Sequence, residues 1–265
     1  SGEKQVMAEK DNKKIQKKRR KRRNKKLMVS AAAFITAAVV VIFCIYYVYY
    51  ETQYFELAGV DIEGNSTYSK EYIREKSGIE TGKKIFDIDR ARVKENLEKE
   101  VYVERVRVVY VLPNRIFIDI IEREEKYQVF ASGQYIIIDK NGIVLRTSTD
   151  KTALLTIESY TDIIYNVGDE IQFAGIENNG KIFDTIEYLN NEYGSEAIKS
   201  YTVDLKNSFL FETQYGTQVR IDLSEDVRYQ IVFAMKIINE RLNNNLTVTG
   251  LIDFTKGDSP VYIED

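Results

Sequence analysis

The 265-residue sequence contains no histidine, no tryptophan and a single cysteine, Cys44. Without histidine, neither a Ser-His-Asp nor a Cys-His nucleophilic site can be built, and no histidine-ligated metal site either. One cysteine makes no intrachain disulfide, so the folded part of the chain has to be held by its core alone. Carboxylate chemistry stays possible, but no motif signals it, and no cofactor or metal is expected. Charge is missing from one long stretch: Leu27 to Tyr50, LMVSAAAFITAAVVVIFCIYYVYY, has 24 residues without a charged side chain.

As a helix that stretch is roughly 36 Å long, enough to cross a hydrocarbon core of about 30 Å with some tilt. Neither flank supplies apolar helices to bury it, so the segment 27–50 is expected to be a transmembrane helix. Its N-terminal flank, Lys13 to Lys26, holds eleven Lys or Arg, whereas Glu51 to Asp61 holds none. Positive charge next to a spanning helix stays in the cytoplasm, which puts residues 1–26 inside and everything after Tyr50 outside. Lys25 and Lys26 mark the inner interface. Tyr46, Tyr47, Tyr49 and Tyr50 suit the headgroup layer at the outer one. A cleaved signal peptide would want small residues at its outer end; here Ala31, Ala32 and Ala33 lie at the inner end, which favours an uncleaved anchor. The Ser-Gly start without Met is expected of a chain whose native beginning is missing or altered.

Residues 1–26 carry a net charge of +10 and residues 27–50 none, so a formal total of −3 leaves −13 for the outer part. An acidic outer part is not expected to bind nucleic acid or cling to anionic lipid. The basic tail reads as disordered from its low hydrophobicity and block of like charge. Three roles fit it: a topology determinant resting on anionic lipid, a docking site for a cytoplasmic partner, or a DNA contact. The absence of any aromatic in the tail counts against the last.

From about residue 55 to 130 the pattern is β-α-α-β-β. Val60–Glu63 alternates apolar and acidic residues and stops at Gly64-Asn65. Ser69 is positioned to cap a helix that Gly78 closes, and a second helix runs from near Asp89 to about Lys99 with Val93, Leu97 and Val101 on one stripe. Val101–Leu112 is strongly β-branched, with Val106, Val108, Tyr110 and Leu112 on one face. Pro113-Asn114 turns the chain, and Ile116, Ile118 and Ile120 return on one face.

From 131 to 265 the reading is a second α+β domain with a mostly antiparallel sheet. Tyr135–Asp139 and Ile143–Leu145 flank Asn141-Gly142 as a hairpin. A short strand is expected at Leu154–Ile157, a helix from Lys181 to Tyr193, and strands at 200–205, 208–213 and 217–223. Ser224 is expected to cap a long helix to about Leu242. Two strands close the chain, 247–254 and 261–263, separated by Lys256-Gly257-Asp258. Asp139, Asp204, Asp222 and Asp253 lie at strand ends, where Asp more often satisfies turn amides than performs catalysis.

The first of these domains resembles a POTRA domain. The resemblance rests on Val60-Asp61-Ile62-Glu63-Gly64-Asn65, Ser69, Gly78-Ile79, Gly82–Asp89, Val101–Val108, Leu112–Ile116 and Glu122-Arg123-Glu124 in that order, after one apolar helix. With the basic tail and the following β-rich domain, the chain is similar to the FtsQ/DivIB family of bacterial cell-division proteins. In the second domain Tyr135–Val144 is similar to the family's ILLDxxGxV hairpin, and Gly250–Phe254 also matches. Leu154–Ser159 lacks the Pro and Gly of a family motif at that point.

The resemblance implies a non-enzymatic, single-pass scaffold of the divisome at the division septum. Its implied partners are the bitopic proteins FtsL and DivIC (also called FtsB), the septal peptidoglycan synthase and the lipid bilayer, but no nucleic acid. Strand addition to an open sheet edge is the expected physical route. The candidate residues are Thr247, Thr249, Leu251, Asp253, Phe254, Val261, Tyr262 and Ile263, with Tyr262 as an exposed anchor. The alternative is that these strands only complete the sheet. A second edge is expected at Ile116–Ile121. The rival classes are an envelope enzyme, an outer-membrane assembly factor and a membrane-anchored sensor.

Overall fold

The computed structural model describes residues 2–257 and 259–264, with side chains from Lys25 onward. Helix α1 (Gly2–Glu51) includes the apolar stretch. Within it, Lys25–Glu51 contains an 18-residue window of mean hydropathy 2.7 with none of its residues buried, so by length and composition it is able to cross a membrane. The backbone stays helical back to Gly2, where composition predicts disorder. Lys, Arg, Gln and Glu are good helix formers, and they extend an existing helix without the cost of a new nucleus. The side chains of residues 13–24, and Asp258, lie outside the described residues.

The chain forms two compact units, one of residues 1–61, 79–90 and 109–117, the other of 62–78, 91–108 and 118–265. In the first, α1 leads through a 3-10 turn at Gln53–Phe55 into β1 (Gly59–Glu63). Backbone amides then stitch the entry: Leu57 N–H donates to Lys83 O at 2.9 Å and Ala58 N–H to Asn114 O at 2.8 Å. Arg115 pairs with Asp61 through two guanidinium nitrogens, Nε and Nη2.

Helix α2 (Lys70–Ser77) is capped by Ser69, which accepts from the Tyr72 amide, and ends at Gly78 with φ +68°. Helix α3 (Arg90–Glu98) buries Val93 and Leu97, one turn apart. Strands β2 (Val103–Val111) and β3 (Arg115–Glu122) complete a three-stranded sheet of order β1-β3-β2. Ile116, Ile118 and Ile120 are buried on one face of β3, as alternation predicts. Leu112 departs from expectation: it lies beyond β2 in the turn and is 61% exposed. Because β3 is the central strand, the edge expected at Ile116–Ile121 does not exist; β1 and β2 are the edges.

Glu122, at the end of β3, accepts from the Ser66 hydroxyl and from the amides of Ser66, Thr67 and Tyr68. One carboxylate thus satisfies a turn that has no ladder partner of its own.

The larger sheet has nine strands in the order β14-β13-β12-β11-β10-β7-β4-β5-β6. Its first strand, β4 (Tyr127–Ala131), pairs with β5 (Gln134–Ile138), so the expected boundary at 130/131 falls inside a strand. Strands β6 (Val144–Ser148) and β7 (Leu155–Ser159) follow, then the small separate pair β8 (Ile163–Ile164) and β9 (Gln172–Phe173). Helix α4 (Gly180–Tyr193) precedes the meander β10 (Ile198–Asp204), β11 (Ser208–Thr213) and β12 (Thr217–Asp222).

Helix α5 (Val227–Asn243) carries the chain to β13 (Gly250–Asp253), parallel to β12, and β14 (Val261–Glu264) is antiparallel to β13. The N-cap of α5 is Asp226, whose carboxylate accepts from the Tyr229 amide at 3.1 Å, and not Ser224. Ser224 instead accepts from the Asn207 side chain. Both residue types cap well, and the local pattern does not separate them. Ile182, Ile186 and Leu189 of α4 and Ile231, Ala234 and Ile238 of α5 pack with Val203, Phe209, Phe211, Val219, Ile221 and Ile252 of the sheet in one continuous core.

Burial pushes the Glu122 carboxyl upward, but its hydrogen bonds from Ser66, Thr67 and Tyr68 outweigh that and hold it below its ordinary value. A depressed folded-state value contributes stability above the unfolded value of about 4.3, lost as pH falls through the folded one. Glu122→Ala is expected to lower stability at pH 7 by about 2 kcal/mol. The loss should shrink below pH 4, as read from urea midpoints at both pH values.

Candidate partner-binding edge

A nine-stranded open sheet has two edges, and these are treated differently. At β6, the segment 166–171 lies alongside: Val144 N–H donates to Asp169 O at 2.9 Å and Gly168 N–H to Val144 O at 2.8 Å. At β14, no strand pairs with the outer side among the described residues. Among the described residues, Leu145–Ser148 of β6 and the whole of β14 therefore both present an outer side without a strand partner.

Three constraints hold β14 on β13. Gly250 has φ +133°, and a Cβ there would stand 2.3 Å from Ile263 O, so only glycine lets the two strands approach. Arg241, in the last turn of α5, stacks on the Tyr262 ring at 4.1 Å and pairs with Glu264. The Tyr262 hydroxyl donates to Thr249 O at 2.7 Å. Tyr262 is thus half-buried and used as a clamp; it is not the exposed anchor expected. The exposed apolar side chains are its neighbours Val261 and Ile263, at 42% and 49%.

The strand expected from Thr247 begins only at Gly250. Side chains take the carbonyls before it: Arg241 Nε donates to Thr247 O, and Thr217 Oγ1 to Val248 O. Thr247 and Thr249 are exposed, while Leu251 and Phe254 are half-buried, the latter edge-on to Phe233 at 6.4 Å. β13 is internal, paired on both sides, so Leu251 and Asp253 offer no free backbone edge.

Asp253 is fully buried. One oxygen accepts from the amide and hydroxyl of Thr255, and the other from Arg220 at 3.0 Å. Arg220 bridges on to Asp204 at 2.8 Å. Burial raises the Asp253 carboxyl, but the Thr255 and Arg220 hydrogen bonds prevail and hold it below the usual carboxylate range. Asp139 accepts from the amides of Asn141 and Ile143 and pairs with Arg123 at 2.7 Å; Asp222 accepts from the Ser224 amide. Asp204 accepts from the Leu205 amide at 2.8 Å, so all four strand-end aspartates take a following backbone amide, and three of them also pair with arginine.

Sequence reasoning missed Arg220, Arg241 and Glu264. Their partners lie 16 to 33 residues away, beyond any local pattern. Gly250 had a visible signal, a glycine opening an otherwise apolar strand.

At the interface end of α1, Tyr46, Tyr47 and Tyr50 are exposed, as are Lys25 and Lys26 at the other end. Tyr49 is half-buried, its hydroxyl 3.1 Å from Asp87 Oδ1.

Arg220→Met is expected to leave Asp253 buried without its charge partner and to cost about 3 kcal/mol, measured by urea unfolding. A second expectation concerns Gly250→Val: it should expose the β14 amides to hydrogen exchange while the β10–β12 amides stay protected.

Comparison with known proteins matches residues 55–123 to the family described as POTRA domain, FtsQ-type. The chain is 28% identical to the cell division protein DivIB of Clostridium botulinum (strain Hall) over 215 residues, 80% of this chain and 83% of that protein. It is 26% identical to the DivIB of Clostridium tetani over 218 residues, 80% of each. The similarity to the Clostridium acetobutylicum DivIB is 30% over 120 residues, 44% of this chain and 48% of that one.

Proposed function

We propose that this chain, which carries an FtsQ-type POTRA domain and is related over four-fifths of its length to proteins named DivIB, is a non-enzymatic membrane scaffold of the divisome. The observation that carries the proposal is that likeness along the chain, which extends well past the POTRA domain. Helix α1 crosses the cell membrane once. Its basic flank stays in the cytoplasm, and the parts after Tyr50 lie outside at the division septum. Four segments divide the labour: a basic tail (1–26), a transmembrane helix (27–50), a POTRA domain (55–123) and a β domain that begins with β4 at Tyr127.

The partners are FtsL and DivIC, and through them the septal peptidoglycan synthase. Their ectodomains add an extended segment to β14, with backbone hydrogen bonds supplying affinity and Val261 and Ile263 supplying side-chain contacts. The open outer side of β14 supports this, because that strand is held in place without being covered. Carboxylates that serve turns and arginines are consistent with a binding protein.

The test is capture of the paired FtsL and DivIC ectodomains by the full chain in lipid nanodiscs. Ile263→Lys, at an exposed position, is expected to weaken capture about tenfold or more, equivalent to at least about 1.4 kcal/mol. The far-ultraviolet circular dichroism should be unchanged. Undiminished capture would move the site away from β14. No capture by the unaltered chain would remove the partner assignment.

A further inference from the structure

The last turn of α1 does not hang free. Tyr49 reaches Asp87 with its hydroxyl, and its ring lies 6.1 Å from Phe86 and 5.8 Å from Phe55. Phe86 in turn sits 5.8 Å from Phe55 and 5.6 Å from Tyr110. Lys84 Nζ donates to Thr52 O at 2.7 Å and to Glu56 at 3.2 Å. The segment 84–87 therefore flanks the helix end at the level of its final turn, within about 5 Å along the axis.

That level is set by the helix itself. Lys25–Glu51 spans 27 residues, about 40 Å, against a hydrocarbon core of about 30 Å. The excess puts the final turn at the headgroup layer, where tyrosines are favoured. Two large rings beside it are turned to solvent: Phe86 is 49% exposed and Tyr54 58%. Tyr54 lies edge-on to Phe55 at 5.1 Å, so it belongs to the same cluster.

We propose that this aromatic collar, Tyr54 and Phe86 together with Tyr46, Tyr47 and Tyr50, rests in the outer headgroup layer of the bilayer that α1 crosses. The POTRA domain then has a second, peripheral contact with lipid besides the helix. Continuity with the apolar helix selects lipid as the occupant. Lys84, Glu56 and Asp87, set among the rings, suit the polar headgroup layer and not the hydrocarbon beneath it. The proposal rests on α1 spanning the membrane, and its test separates the two.

The sequence has no tryptophan, so a single introduced tryptophan reports alone. The full chain is placed in vesicles of phosphatidylethanolamine and phosphatidylglycerol as three variants: Tyr47→Trp within the helix, and Tyr54→Trp and Phe86→Trp in the collar. Each is titrated with lipid bearing a nitroxide on the headgroup or deep in the acyl chain. The expected result is that both collar tryptophans lose about half of their emission to the headgroup nitroxide, as Tyr47→Trp does, and little to the deep one. Tyr47→Trp quenched with both collar positions unquenched would overturn the collar and leave the span intact. If none of the three is quenched, the span falls and the collar with it.

Discussion

An open β-sheet ends in two rows of unpaired amides and carbonyls, and each row has to be covered, blunted or used. The larger sheet of this protein depends on how it meets that constraint. At β6 the chain lays its own 166–171 segment against the first residue of the row, Val144. At β14 it does the reverse, holding a four-residue strand in register while leaving its outer side open. Gly250, Arg241, Tyr262 and Glu264 all serve to fix a strand whose own burial is too small to hold it.

The charges follow the same economy. With no disulfide available, arginines and carboxylates stand in as cross-links where the apolar core thins out. Arg220 ties β10, β12 and β13 together through Asp204 and Asp253. Arg146 grips Glu125 with two nitrogens while Tyr102 adds its hydroxyl to the same carboxylate. Arg123 holds Asp139, which is already organising the turn between β5 and β6. Partly buried pairs of this kind contribute modestly to net stability, and those on a buried carboxylate, Asp139 and Asp253, are costly to break by halves.

Local features were legible in the sequence because their causes are local. Ser69 and Gly78 bracket α2, Ile116, Ile118 and Ile120 line one face of β3, and the α4 and α5 stripes face the sheet. What escaped depended on partners distant in the chain. That β3 sits between β1 and β2 cannot be read from β3's own alternation, which suits an edge equally well. β4 was hidden because Tyr127–Ala131 follows directly on the charged run 122–126 and finds its partners only in β5 and β7. Tyr262 looked like a free aromatic because nothing nearby reveals that Arg241, 21 residues earlier, stacks on it. The candidate residues thus do include an edge strand, β14, but its exposed side chains are Val261 and Ile263 and not Tyr262.

The pinned end of α1 has a mechanical meaning. A helix joined to its domain through a loose linker is a tether, free to spin without effect. Here Tyr49 grips Asp87 and Lys84 grips the carbonyl of Thr52, so the helix is a shaft keyed to the segment it carries. Each residue of helix length turns that key by about 100° and advances it about 1.5 Å. The heading of the segment 84–87 around the helix axis is therefore encoded in the number of residues before Thr52, and a turn of the helix is passed to that segment instead of being lost.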